Sequence, residues 1–284
     1  MRKLILATRG SRLALAQADA VQAQLEKLGV TVEQKIVKTR GDRDRTSPLR
    51  EIGGKGLFVK EIELQLQSGQ ADLAVHSGKD LPYVLMKGMT IAANPKAADA
   101  RDCLIFCKNR ELPGKPVIGT GSPRRIEACR KFYPDADFKD IRGNIDTRIR
   151  KLMESEYDAI VLAKAGIDRL GISMEDLELR VFEAEEFIPA ACQGILAVEC
   201  RSADEEVVSL LQQISDPEAR MRFELERRIF CGLQADCSMA VGVHAEVLGD
   251  EVRLMSMYHG KRYSCSGKLK DAERLIEEIR KELI

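Results

Sequence analysis

The chain has 284 residues with 45 basic and 45 acidic side chains, a balance that gives no reason to expect nucleic-acid or membrane-surface binding, so any site for an anion must be local. The length suits two or three domains that bury cores without disulfide staples, and no apolar run reaches the length of a membrane span. Eight cysteines (Cys103, Cys107, Cys129, Cys192, Cys200, Cys231, Cys237 and Cys265) with no C-x-x-C pair, and only three histidines, argue for reduced thiols rather than a disulfide framework or a metal site.

In chain order, Met1 to Ala7 is a short apolar run that enters Thr8-Arg9-Gly10 with neither a long apolar core nor a cleavage site. It reads as a first strand and not as a signal peptide. A helix is expected from about Ser11, with Val21, Leu25 and Leu28 at helical spacing and Gly29 as its stop. Residues 31–37 form the next strand, residues 52–56 a glycine-rich loop, and residues 57–67 a helix. Strands are expected at 71–76 and 90–93, and the polar, proline-bearing segment 94–102 as a crossover or hinge. A second α/β unit begins at 103–106, and strands at 117–119, 138–141 and 159–162 are each followed by a turn and a helix. Residues 195–199 are a strand, 205–214 and 218–230 helices. Strands near 240–248, 251–257 and 262–267, closed by an amphipathic helix from Asp271, make a smaller α+β module. Alternation of this kind predicts α/β architecture.

Four segments stand out at predicted strand-to-helix junctions. They are Ala7-Thr8-Arg9-Gly10-Ser11, Gly119-Thr120-Gly121-Ser122-Pro123-Arg124-Arg125, Ile141-Arg142-Gly143-Asn144-Ile145-Asp146-Thr147-Arg148 and Ala165-Gly166-Ile167-Asp168-Arg169. Free backbone N–H groups and the helix dipole favour anions at such junctions, and guanidinium forks add bidentate carboxylate or phosphate binding. One arginine beside a glycine is ordinarily a solvated surface residue. Four such segments point to a ligand with several negative groups.

A fifth segment, Ala71 to Pro82, is an apolar strand ending in His76-Ser77-Gly78-Lys79-Asp80, where open α/β sheets bind ligands. Asp80 reads equally as a general acid or base with Lys79 holding a carboxylate, or as a solvated turn before Pro82. Gly53-Gly54-Lys55-Gly56 lacks the spacing of a phosphate-binding P-loop and suits a mobile cover over an anion. Arg40-Gly41-Asp42 reads as a turn. Cys237 lies on a loop, where thiols are more accessible to covalent chemistry, but Asp236 beside it opposes thiolate formation, and the residues alone favour an unreactive thiol.

Taken in order, these segments resemble porphobilinogen deaminases (hydroxymethylbilane synthases). The resemblance runs from Ala7-Thr8-Arg9-Gly10-Ser11-Arg12-Leu13-Ala14-Leu15-Ala16-Gln17 through Lys38-Thr39-Arg40-Gly41-Asp42, residues 53–61, 74–82, 119–125, 142–148 and 158–171, to Gln193-Gly194 and Cys237. It implies two type II periplasmic-binding-protein-like α/β domains around a cleft, at 1–98 with 192–214 and at 99–191, plus a smaller α+β domain at 215–284. It further implies a dipyrromethane cofactor held as a thioether on Cys237, and Asp80 as the catalytic carboxylate. Arg9, Ser11, Lys55, Ser77, Lys79, Thr120, Ser122, Arg124, Arg125, Arg142, Gly143, Arg148, Arg169 and Gln193 are then the cofactor- and substrate-binding residues.

The implied reaction joins four porphobilinogen molecules head to tail, releasing ammonia at each step, and frees the linear tetrapyrrole by hydrolysis. It requires no metal, and the implied enzyme is a cytoplasmic monomer whose partners are porphobilinogen and the growing polypyrrole, not nucleic acid or membrane. This chain departs from the family pattern at Gly78, where Met is usual, at Cys192, where Gly is usual, and in Ala235-Asp236-Cys237-Ser238-Met239-Ala240. The rival readings are an anion-binding or ligand-sensing protein of the same topology, and a phosphoryl-transfer enzyme, which the missing P-loop disfavours.

Overall fold

A computed structural model describes residues 3–39, 41, 59–82, 84–234 and 239–284. The turn at Arg40-Gly41-Asp42 in part, the loop bearing Lys55 and the loop bearing Cys237 lie outside the described residues. The chain divides into two compact units, one of Met1–Ala98 with Ile195–Phe223 and one of Asp99–Gly194 with Glu224–Ile284.

The first unit contains β1 (Lys3–Thr8), α1 (Arg12–Lys27), β2 (Thr31–Ile36), α2 (Lys60–Gln67), β3 (Leu73–Ser77), a 3-10 turn (Gly78–Asp80) and β4 (Met89–Ala93). Its sheet has the order β2-β1-β3-β10-β4, where β10 (Leu196–Arg201) arrives from the far end of the sequence. Strands β1, β2 and β3 are parallel, and β10 is antiparallel to both neighbours. Alternation along the strands sends side chains to opposite faces. Leu4, Leu6, Leu73, Val75 and Val198 pack with Ala18, Val21 and Leu25 of α1 and with Val207 and Leu211 of α6 (Glu205–Gln212). Ala7 and Ala74 face the other way, onto Ile62 and Leu66 of α2.

In the second unit, β5 (Asp102–Cys107), β6 (Val117–Gly119), α3 (Pro123–Cys129), β7 (Asp137–Lys139), α4 (Ile145–Met153), β8 (Ala159–Ala163), α5 (Lys164–Leu170) and β9 (Leu177–Val181) follow in order. They form a sheet ordered β7-β6-β8-β5-β9. The two five-stranded sheets share one plan: each has a parallel trio, then an antiparallel strand, β10 or β5, by which the chain enters after leaving the other unit. This is the type II binding-protein topology that the resemblance implies. β9 is absent from the sequence expectations. Its alternating Leu177, Leu179 and Val181 leave Glu178 and Arg180 exposed, and only pairing with β5 makes it a strand.

Helix α7 (Pro217–Gly232) leads to an antiparallel sheet of β11 (Val241–Leu248), β12 (Glu251–Tyr258) and β13 (Lys261–Lys268). The closing helix α8 (Ala272–Leu283) buries Leu275, Ile276, Ile279 and Leu283. Among the described residues no helix is long and apolar enough to cross a membrane.

Candidate active site

The parallel strands β1 and β3 of the first unit run side by side, with Ala7 opposite Ala74, and the polar residues follow their C-terminal ends. After β1 come half-buried Arg9, then Gly10, then Ser11, which caps α1 by accepting from the Ala14 N–H at 3.3 Å. Glycine suits position 10, because a Cβ there would stand 3.2 Å from Ile36 Cγ2. After β3, the Ser77 hydroxyl accepts from Gln17 Nε2 at 2.9 Å, so α1 and the end of β3 are joined directly. Lys79 and Asp80 share the 3-10 turn that follows, Lys79 half-buried and Asp80 exposed. Arg9, Ser11, Ser77, Lys79 and Asp80 thus collect at one end of this sheet, and Gln17 joins them, a residue that the sequence reading did not single out.

The strand ends of the second unit carry the arginines. Thr120, buried just beyond β6, accepts from the Ser122 N–H at 3.3 Å, and Ser122 caps α3, with Pro123 in the first turn. Glycine at position 121 leaves room for the Asp140 carboxylate, whose Oδ1 would lie 2.0 Å from a Cβ there. The guanidiniums of Arg124 and Arg125 do not face solvent from the helix start. Arg124 donates to Asp102 Oδ2 at 2.7 Å and to the Ile188 carbonyl at 2.8 Å. Arg125 donates through Nε to Asp102 Oδ1 at 2.9 Å and through Nη1 to the Val161 carbonyl at 2.9 Å. Asp102 is wholly buried, so one carboxylate serves two buried cations. The sequence held no local signal for it beyond an acid opening an apolar strand.

After β7, Gly143 has φ 109° and a Cβ would meet Thr147 at 2.8 Å. The Gly143 carbonyl accepts from Arg148 Nε at 2.8 Å, folding that side chain back over its own helix start. Burial, together with the charges of Arg125 and Arg142, pulls the Arg148 guanidinium down to about 10, and Asp140 opposes the shift. Arg148 remains a cation at neutral pH. Buried Arg125 and half-buried Arg142 and Arg148 therefore form a positive cluster at the ends of β6 and β7.

Arg169 belongs elsewhere. The sequence put it at a strand-to-helix junction, but it stands in the last turn of α5 and donates to the Gly194 carbonyl at 2.6 Å. Burial lowers it to about 10, with only Asp168 opposing. Gln193 is also buried and gives its amide to the Ala100 carbonyl at 2.6 Å. Its neighbour Cys192 has φ 60°, a left-handed conformation that glycine adopts without cost. Its N–H donates to the buried Glu226 carboxylate at 2.5 Å. Burial raises the thiols of Cys103 and Cys129 to about 12 and those of Cys200 and Cys265 to about 11. Cys231, in the last turn of α7, is raised in the same way, so none of these five is a ready thiolate.

Residues 4–209 match the family model described as porphobilinogen deaminase, dipyromethane cofactor binding domain. The porphobilinogen deaminase of Roseiflexus sp. (strain RS-1) is 45% identical over 259 residues, covering 89% of this chain and 85% of the relative. That of Sulfurimonas denitrificans is 39% identical over 296 residues, covering 100% of this chain and 94% of the relative. Among solved structures, the periplasmic VFT2 domain of Bordetella pertussis BvgS aligns with 75% of this chain and 86% of its own at 15% identity, with a TM-score of 0.45. The chain belongs to the porphobilinogen deaminase (hydroxymethylbilane synthase) family, transferases of tetrapyrrole biosynthesis with a dipyrromethane cofactor.

Proposed function

We propose that this chain joins four porphobilinogen molecules into hydroxymethylbilane, with Asp80 as the catalytic carboxylate. The observation that carries the reading is an exposed carboxyl group on the turn after β3, next to Lys79, at the same end of the sheet as Arg9 and Ser11 after the parallel strand β1. In its carboxylic acid form Asp80 gives its proton to the aminomethyl nitrogen as the carbon–nitrogen bond breaks and ammonia leaves. The carboxylate so formed stands against the positive charge on the substrate pyrrole. Once the carbon–carbon bond has formed, it takes up the proton released from the α-carbon, which restores its starting state.

The charge pattern of the second unit fits a dipyrromethane with acetate and propionate arms. Arg124 and Arg125 share the single carboxylate of Asp102, and Arg148 lies among further guanidiniums with Asp140 as the opposing acid. Such an excess of buried and half-buried positive charge suits a polycarboxylate. When bound, the cofactor supplies the free pyrrole α-carbon onto which substrate units are joined. Arg125, Arg142 and Arg148 hold carboxylates in this reading, with Thr120, Ser122 and Gly143 shaping the loops beneath. Lys55 and Cys237 enter from the family pattern, Lys55 over the ligand and Cys237 as the thioether anchor. Arg169 and Gln193, whose polar heads contact backbone carbonyls, shape the segment 193–194 in addition to any ligand contact.

The domain reading is 1–98 with 192–214, then 99–191, then 215–284, in a cytoplasmic monomer. Incubation with porphobilinogen tests the activity. Ammonia and linear tetrapyrrole in a four-to-one ratio are expected, and binding without ammonia release would leave only an anion-binding protein.

A further inference from the structure

On the face of the first sheet covered by α2, three buried titratable side chains lie near one another. His76 stands opposite Ala197 in the β3–β10 ladder, so Glu199 is its diagonal neighbour, and His76 Nε2 lies 2.9 Å from Glu199 Oε2. Both side chains are buried, at 3% and 0% exposure. Glu63 of α2 is buried as well, and its Oε1 accepts from the Met86 N–H at 2.9 Å. Burial first, and the Glu199 charge after the opposing Met86 N–H, hold the Glu63 carboxyl above the ordinary carboxylate range. The second oxygen of Glu199 is buried without a hydrogen-bond partner among the described residues. Burying such a cluster costs free energy.

The cluster grips both ends of one segment. His76 immediately precedes Ser77 and the turn carrying Lys79 and Asp80, while Met86 lies six residues beyond Asp80. We infer that Glu199, through His76, and Glu63, through the Met86 N–H, are positioning residues that hold the end of β3 and the Met86 backbone, on either side of the turn carrying Asp80, so that Asp80 stands in register with its substrate. The inference rests on the proposed role of Asp80. Two further hydrogen bonds complete the clamp: the Gly78 N–H donates to the Ile195 carbonyl, just before β10, at 2.8 Å, and Ser77 is tied to Gln17 of α1. A rigid strand end fixed by buried partners sets a reacting group more tightly than a solvated loop does, and a displacement of about 1 Å costs on the order of 10²-fold in rate.

The test compares Glu199→Leu with Glu199→Gln, and His76→Leu with His76→Gln, since each glutamine keeps a polar partner where leucine does not. For ammonia release from porphobilinogen, the leucine variants are expected to lose about 10²-fold in kcat with little change in KM, and the glutamine variants to recover most of it. Equal kcat in the leucine and glutamine pairs would overturn the proposal. Hydrogen exchange on the unmodified chain supplies a reading independent of activity and of variant folding. The Gly78 and Met86 amides must exchange as slowly as those of the β3 core, and exchange at the rate of a free loop would overturn the proposal. A chain that releases no ammonia but protects these amides would count against the activity alone.

Discussion

Asp80 is exposed and makes no hydrogen bond among the described residues, so its removal is separable from folding. Asp80→Asn is expected to lower turnover by about 10²–10⁴-fold with the thermal unfolding midpoint nearly unchanged, because the amide keeps the shape and cannot exchange the proton. Near-normal ammonia release by this variant would remove Asp80 from the chemistry. Asp102 is the opposite kind of residue. Asp102→Asn leaves Arg124 and Arg125 buried without a counter-charge, and should cost about 3–5 kcal/mol of stability, read from denaturant midpoints. Arg148→Lys keeps a charge but loses the fork and the Nε bond to Gly143, and should weaken carboxylate binding by roughly 1.5–3 kcal/mol with the fold intact. The contrast explains what the sequence disclosed at this scale. Ser11, Ser122, Pro123 and the glycines beside them declare their strand-to-helix turns locally. Asp102 acquires its role only when chain positions 22 and 23 residues away fold onto it, and the distinction between Arg125 as a partly neutralised cation and Arg148 as one among like charges is tertiary.

The elements show the same division. The strands β1, β3, β5, β6 and β8 were legible because both faces are covered and their runs are continuously apolar, whereas β9 is five residues long, alternates with charged positions and is specified by β5. Arg169 was misplaced because Gly166 and Asp168 imitate a turn, while the helix begins earlier, at Lys164. Helix α2 carries a further consequence. Glu63 lies among Glu199, His76 and the Met86 N–H, and its folded-state pKa is raised above the ordinary 4.5. A raised carboxyl contributes stability that is present in full below pH 4.5 and is lost as pH rises through the folded value. Glu63→Gln, which mimics the protonated form, should therefore match the parent below pH 4.5 and exceed it increasingly above. Urea midpoints at acid and neutral pH check this. A glutamine variant less stable than the parent at pH 7 would mean that the ionised form is the favoured one.

For the whole molecule, two sheets of one plan each carry their candidate site residues after the C-terminal ends of their parallel strands, where open α/β sheets bind ligands. The first sheet presents Arg9, Ser11, Ser77, Lys79 and Asp80, and the second Thr120, Ser122, Arg125, Arg142 and Arg148. The cysteine that the family pattern assigns as the anchor, Cys237, lies outside the described residues, and burial has made five of the described thiols poor nucleophiles. The intact mass of the purified protein, followed by proteolysis and peptide mapping, tests the account most directly. It predicts one adduct with the mass of two linked pyrrole rings on the peptide containing Cys237, absent from Cys237→Ser. An active protein without the adduct, or the adduct on Cys231, would contradict it.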